Sequence, residues 1–182
     1  MSGTQSDRSD LISQLHDYKT TDEEVPFVDR FLELLKSDRC FYRDHFSPGH
    51  ITGSAILLNV QGDQILMNHH KSLNMWLNFG GHCDGDEDAL TVAIRETMEE
   101  SGITAFKPVT SNIVDIDIHM IPANGKKGEP AHEHFDIRYV MQMTGNQNPI
   151  ISDESNDLKW MSFDDAITVG DKSLQRFINK VT

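Results

Sequence analysis

Three glutamates crowd one helical turn near the middle of this 182-residue chain. Glu96, Glu99 and Glu100 stand at i, i+3 and i+4, so their carboxylates share one helix face and repel one another. The stop signal at Gly102 places them at the C-terminal end of the helix, where the macrodipole disfavours negative charge. Divalent cations compensate both penalties, and a glutamate-rich oxygen site suits Mg²⁺ or Mn²⁺. The alternative is a solvated acidic face in a chain with a formal net charge of −13.

The residues around these glutamates follow a fixed spacing. From Gly81 to Ile103 the chain reads GHCDGDEDALTVAIRETMEESGI. At average residue abundance, seven fixed positions match by chance with a probability on the order of 10⁻⁸ per start point. The pattern resembles the Nudix box, with Thr97 where the box usually carries an aliphatic residue. The seven matching positions are Gly81, Glu87, Arg95, Glu96, Glu99, Glu100 and Gly102.

The resemblance to the Nudix family implies an activity and a ligand set. Nudix enzymes hydrolyse a nucleoside diphosphate linked to another moiety and require Mg²⁺, which neutralises pyrophosphate oxygens and lowers the pKa of bound water. Matched position by position, the metal ligands are Glu96, Glu99, Glu100 and the carbonyl of Gly80. Glu99 and Glu100 are also expected to take part in catalysis.

The other box residues are expected to support these ligands. Arg95 and Glu87 are predicted to form an ion pair that fixes the ligand geometry. Gly81 is predicted to allow a close backbone approach, and Gly102 to end the helix.

A late acidic loop supplies a further candidate acid. The segment SDESND (152–157) precedes Trp160, and Glu154 stands six residues before that Trp. The Nudix family uses this placement for an additional ligand or general base. Asp153 is the competing residue, and a turn-rich surface loop is the alternative interpretation.

The box begins with a Gly-Gly-His sequence that ends in His82. In the related isopentenyl diphosphate isomerases a Cys-Gly-His stretch lies here, and its His binds metal. Gly80 stands where that catalytic Cys would be, and Cys83 lies one position past the His, so isomerase chemistry is disfavoured. His82 is a candidate metal or phosphate ligand, with loop hydrogen bonding as the alternative.

Several side chains outside the box suit base stacking or phosphate contact. Packing is the alternative for the aromatic residues among them. His132 and His134 share a strand face, on which they are candidates to line a pocket with Asp136. The substrate-binding candidates are Lys71, Trp76, Phe79, Arg138 and Tyr139.

Hydrophobic periodicity predicts an α+β fold in two parts. Residues 1–48 are predicted to form a helical N-terminal extension, in which a capping box at Thr21 and Glu24 opens the second helix. Residues 49–182 are predicted to form a Nudix domain, an α/β/α sandwich with a mixed β-sheet. Strands are expected at 51–59, 64–70, 112–121, 134–143 and 157–163, and short helices at about 163–168 and 171–180.

Composition narrows the partners and the compartment. The net charge of −13 argues against binding a nucleic acid duplex, but metal ions can admit a small phosphorylated substrate. The chain has no run of about 18 apolar residues and no secretory pattern at its start. Two cysteines suit a reducing cytoplasm. A homodimer stays open, as does a non-catalytic nucleotide-binding module, which the intact glutamates disfavour.

Overall fold

The computed structural model describes residues 7–182, and these form five helices and eight strands. The helices are α1 (Arg8–Asp17), α2 (Val25–Leu34), α3 (Ala89–Ser101), α4 (Phe163–Val169) and α5 (Lys172–Asn179). The strands are β1 (Gly49–Leu58), β2 (Gln64–His70), β3 (Met75–Leu77), β4 (Phe79–His82), β5 (Phe106–Pro108), β6 (Asp115–Ile121), β7 (His132–Met143) and β8 (Ser155–Ser162).

All eight strands belong to one mixed sheet. Strand β1 lies inside it, parallel to β7 and antiparallel to β2 and β4. The remaining pairings are antiparallel: β2 with β3 and β8, and β7 with β5 and β6. The predicted α+β class and mixed sheet are therefore confirmed.

Side chains of β1 alternate between two layers of helices, as the pleat requires. Ile51, Ala55 and Leu57 enter a core shared with α1, α2 and α3, whereas Ile56 and Leu58 pack with α4 and α5. The sheet thus lies between two helical layers, and α3 occupies one face of β1.

The N-terminal helices pack on the core rather than apart from it. Leu11 and Leu15 of α1 are buried, and the ring of Phe31 meets that of Phe135 edge to face at 5.3 Å. Helix α2 begins at Val25, later than the predicted capping box implies. The carboxylate of Glu24 does accept hydrogen bonds from the Thr21 backbone N–H and hydroxyl, but it is buried and also binds Lys180.

Helix α3 has the limits that its sequence predicts. The Asp88 side chain caps the first turn by accepting from the N–H groups of Leu90 and Thr91, and Gly102 ends the helix at φ 68°. The buried Thr97 hydroxyl donates to the Ala93 carbonyl at 2.7 Å, so a β-branched residue serves there. No helix among residues 7–182 combines the length and apolar character needed to cross a membrane.

Candidate active site

Glu100 is the most deeply buried of the three crowded glutamates. Its residue is 9% exposed, and its Oε2 atom has no hydrogen-bond partner within residues 7–182. Burial and the nearby charge of Glu96 raise the pKa of Glu100 to about 8, although a hydrogen bond from the Gly80 backbone opposes this. A buried carboxylate oxygen without a donor is the arrangement that a bound cation would satisfy.

Glu96 packs directly against the strand that precedes the helix. A Cβ atom built at Gly81 would lie 2.4 Å from the Glu96 Cδ, so only glycine allows this approach. Burial raises the pKa of Glu96; Arg95 opposes the rise, while the charge of Glu99 adds to it. The Glu99 side chain is 60% exposed and completes the acidic face toward solvent.

Arg95 binds the glutamates themselves and not Glu87. Its Nη1 lies 2.6 Å from Glu96 and 3.4 Å from Glu99, and its Nη2 donates to the His82 carbonyl at 2.9 Å. Glu87 pairs instead with Arg8, at 2.6 Å. The predicted Arg95–Glu87 pair is therefore wrong. Glu87 precedes the N-cap residue Asp88 and lies outside α3, whereas Arg95 is one helical turn from Glu99 near the C-terminal end of the helix.

The loop that carries Glu154 lies at the same site. Glu154 is exposed, and its charge contributes to the raised pKa of both Glu96 and Glu100. Its backbone carbonyl accepts a hydrogen bond from the N–H of Lys71 at 2.8 Å, which ties the loop to the end of β2. The role of Glu154 stays a prediction.

The donor set fits a hard divalent cation. The carboxylate oxygens of the α3 glutamates lie beside the backbone of β4. The guanidinium of Arg95 binds Glu96 and Glu99. Oxygen ligands of this kind suit Mg²⁺ or Mn²⁺. Gly80 leaves no room for the isomerase thiol, because its Cβ would lie 2.3 Å from the Ser54 Cβ. Cys83 is buried, and burial raises the pKa of its thiol.

Three predicted substrate-binding residues lie in the interior, which is a correction. Arg138 is enclosed by Asp115, Asp117 and Asp136, with donor–acceptor distances of 3.1, 3.4 and 2.7 Å. Phe79 and Tyr139 belong to the core on the α3 side of the sheet. Arg138 and Tyr139 are neighbours on β7 and point to opposite faces of the sheet, Arg138 toward α5 and Tyr139 toward α3, and Phe79 of β4 also points toward α3.

Two other candidates remain available to a ligand. Lys71 is exposed, and Trp76 is half-buried with its ring stacked on His69 at 4.9 Å between centroids. Asp136 does not line a pocket with the histidines as predicted. It accepts hydrogen bonds from the hydroxyls of Thr52 and Ser54, at 2.8 and 2.7 Å, as well as from Arg138.

A group of histidines gathers at the ends of β1, β4 and β7. The rings of His50, His82 and His134 have centroids 4.8 to 5.2 Å apart. Burial lowers the pKa of His50 and His82 to about 4, and that of His134 to about 2. Sequence reasoning singled out His82 and His134 but missed His50. The parallel register that sets His50 opposite His134 is the missing information.

Comparison with known proteins identifies the family of this chain. A model described as the NUDIX domain matches residues 49–181. A Lactococcus lactis subsp. cremoris (strain MG1363) protein named "Probable DHNTP pyrophosphohydrolase" is 31% identical over 134 residues, which span 74% of this chain and 78% of that relative. The Caenorhabditis elegans asymmetrical bis(5′-nucleosyl)-tetraphosphatase is 32% identical over 97 residues, 53% of this chain and 64% of its own length.

The fold agrees with a solved structure. A binary complex of a C. elegans Ap4A hydrolase superposes with a TM-score of 0.58 at 20% identity, and the match covers 71% of this chain and 93% of that one. This superposition supports the same arrangement of sheet and helices that residues 49–181 form here. The chain belongs to the Nudix family and is one of its hydrolases.

Proposed function

We propose that this enzyme hydrolyses a pyrophosphate linkage in a small phosphorylated molecule with the help of Mg²⁺ or Mn²⁺. Glu96, Glu99, Glu100 and the Gly80 carbonyl would hold the cation. The observation that carries the proposal is the buried Glu100 carboxylate, one oxygen of which has no partner among residues 7–182 and lies near the charge of Glu96. A buried carboxylate oxygen that no donor satisfies costs free energy, and a bound cation would offset that cost.

The side chains around the cation have separable tasks. A bound divalent cation would neutralise the phosphate oxygens and acidify a bound water. Arg95 orients Glu96 and Glu99 and offsets part of their mutual repulsion. Glu154 is proposed to accept the proton of the attacking water; its exposure and its charge contribution to the raised pKa values of Glu96 and Glu100 support this role.

We propose that the substrate is a nucleotide whose phosphate chain connects it to a second moiety, such as a nucleotide sugar or ADP-ribose. The two relatives named above support phosphate-chain hydrolysis, since one is named for DHNTP and the other for bis(5′-nucleosyl) tetraphosphates. We propose that Lys71, an exposed residue that follows β2, contacts a phosphate, and that Trp76 of β3 contacts a base.

The remaining expectations belong to the same proposal. The buried free thiols of Cys40 and Cys83 support a reducing compartment such as the cytoplasm. Residues 1–48 are proposed as an extension to the domain at 49–182, where the family match also begins. Light scattering on the purified chain tests whether it forms a homodimer.

A substrate panel tests the activity directly. The panel contains ADP-ribose, nucleotide sugars, dinucleoside polyphosphates, nicotinamide dinucleotides, nucleoside triphosphates and dihydroneopterin triphosphate, each with and without Mg²⁺. We expect wild-type protein to release phosphate, pyrophosphate or a nucleoside monophosphate from at least one compound, only with Mg²⁺. Glu100→Gln should lose this activity, whereas Glu33→Gln, whose side chain is 73% exposed on α2, should retain it. If wild-type protein cleaves none of these compounds, the proposal is contradicted.

A further inference from the structure

Three histidines from three neighbouring strands converge at one end of the sheet. Strand β1 lies between the other two, with Thr52 opposite His82 of β4 and His50 opposite His134 of β7. One ring nitrogen from each of His50, His82 and His134 lies within 4.8 Å of the other two. The three donors therefore come from segments that only the folded sheet brings together.

Two of these rings present nitrogen atoms that nothing in the described chain satisfies. The His50 Nδ1 lies 3.3 Å from the His45 carbonyl, which accepts only if that nitrogen carries the proton. The opposite nitrogen, Nε2, then bears a free lone pair. It is buried and without a partner, as is Nε2 of His134. In metal sites, a histidine typically donates one ring N–H to a carbonyl and binds the metal with the other ring nitrogen. His50 has this arrangement, with Nδ1 at the carbonyl and Nε2 free.

This cluster is separate from the glutamates of α3. Along β4, the Cβ direction of Gly81 points into Glu96, whereas that of Gly80 points into the Ser54 side chain. Alternate residues of a strand face the same side, so the His82 ring shares the side of Gly80. The histidines and Glu96 consequently lie on opposite faces of β4.

We propose that His50, His82 and His134 form a second metal site, one that takes a first-row transition ion of the Zn²⁺ class. Imidazole nitrogens select Zn²⁺, Co²⁺ or Ni²⁺ over Mg²⁺, which prefers oxygen ligands. Zn–N bonds of about 2.0–2.1 Å place tetrahedral ligands roughly 3.4 Å apart, so modest ring rotations close the present separation. Three protein ligands leave a fourth position for water or a phosphate oxygen.

Cobalt absorbance tests this site without relying on activity. Untagged full-length protein is stripped with a chelator and titrated with Co²⁺, whose visible bands are intense at four-coordinate sites, and Zn²⁺ is then added to displace it. We expect the intense four-coordinate bands of wild-type protein to saturate with one equivalent of Co²⁺. His134→Gln and His82→Asn should each weaken binding by at least about 100-fold, because even changes behind a metal ligand cost 10–100-fold.

Two matched variants separate this site from its alternatives. His16→Gln removes an exposed histidine on α1, and Glu96→Gln weakens the glutamate site; neither should change the cobalt spectrum. Circular dichroism verifies folding, and the half-exposed His82 decides the result if His134→Gln does not fold. Absence of cobalt binding would overturn the proposal, as would binding that Glu96→Gln removes and His82→Asn keeps. The hydrolysis of the substrate panel with Mg²⁺ is a separate measurement, and its result does not depend on the outcome of the cobalt titration.

Discussion

Two groups of buried carboxylates in this protein are compensated in opposite ways. Asp115, Asp117 and Asp136 surround the fully enclosed Arg138, and Arg176 and Lys180 also bind members of the group. Burial alone would raise the pKa of Asp117, but the hydrogen bond from His119 and the charge of Arg138 hold it well below its usual range. The negative charge of these aspartates is therefore balanced by arginine and lysine side chains of the same chain.

The glutamates of α3 lack that internal balance. One guanidinium, that of Arg95, serves Glu96 and Glu99, and the Oε2 atom of Glu100 has no partner in the described part of the chain. The pKa of Glu100 is raised as a result. Removing one partner of a buried ion pair destabilises a protein, whereas a buried charge without a partner is a candidate site for a ligand.

Replacing the buried Arg138 should give the largest effect on stability. Arg138→Met removes the cation that binds Asp136 and one of the cations that bind Asp115 and Asp117, so the free energy of unfolding should fall by about 3–5 kcal/mol. Urea denaturation measures the change. The control is Arg39→Gln, whose partner Asp44 is exposed, and it should cost less than about 1 kcal/mol. Equal losses in the two variants would remove the distinction between paired interior charge and surface charge.

Removing the carboxylate of Glu100 should affect activity rather than folding. A cation that supplies several kcal/mol to the transition state corresponds to a loss of roughly 10³-fold in kcat/KM for Glu100→Gln. Its free energy of unfolding without metal should equal or exceed that of wild type, since the substitution relieves repulsion from Glu96. A variant that unfolds readily yet retains activity would contradict this account.

The two groups should also give pH dependences of opposite sign. Glu100 has a pKa of about 8 when folded against 4.5 as a model value, so its contribution is complete below pH 4.5 and is lost as the pH rises through 8. Glu24 is buried and shares Lys180 with Asp115 of the paired group. Burial alone would raise the pKa of Glu24, but hydrogen bonds from Lys180 and Tyr18 outweigh burial and lower it to about 2. Its contribution is present above pH 4.5 and is lost as the pH falls through 2.

Urea denaturation of metal-free protein between pH 2 and 9 measures both trends. Relative to wild type, Glu100→Gln should abolish a decline on the order of 2–4 kcal/mol on the alkaline side. Glu24→Gln should abolish the decline on the acid side. Parallel curves for wild type and Glu100→Gln would show that the Glu100 carboxyl is not perturbed by folding.

The loop acid should have the smallest effect of the series. Glu154→Gln is expected to lower kcat about 10²-fold, the low end for a general base, with little change in the free energy of unfolding because the residue is exposed. Asp153→Asn, one residue away on the same loop, is the matched control. A larger loss in Asp153→Asn than in Glu154→Gln would assign the role to Asp153.

Local features of the fold and site follow from the sequence. Helix α3 and its stop at Gly102 were predictable, because capping and helical spacing depend on residues close in the chain. The long strands β1, β2 and β7 were predictable for the same reason. The short strands β3, β4 and β5 were missed, since three or four residues carry too little periodicity to detect.

Long-range pairing explains what the sequence could not provide. The burial of Arg138 depends on β6 and α5, which deliver Asp115 and Ser173 from distant positions. His50 joins His134 only through the parallel pairing of β1 with β7. Glu87 is taken by Arg8, which lies 79 residues earlier in the chain. In each case a polar residue type was visible in the sequence, but its partner was not.

Magnesium-dependent thermal stability tests the central claim most directly, since it asks whether the glutamates of α3 bind a cation, whatever the substrate is. Metal-free wild-type protein and Glu100→Gln are heated at pH 8 with and without Mg²⁺. The account predicts that Mg²⁺ raises the Tm of wild type in a concentration-dependent way and leaves that of Glu100→Gln unchanged. An equal rise in both proteins, or none in wild type, would contradict it.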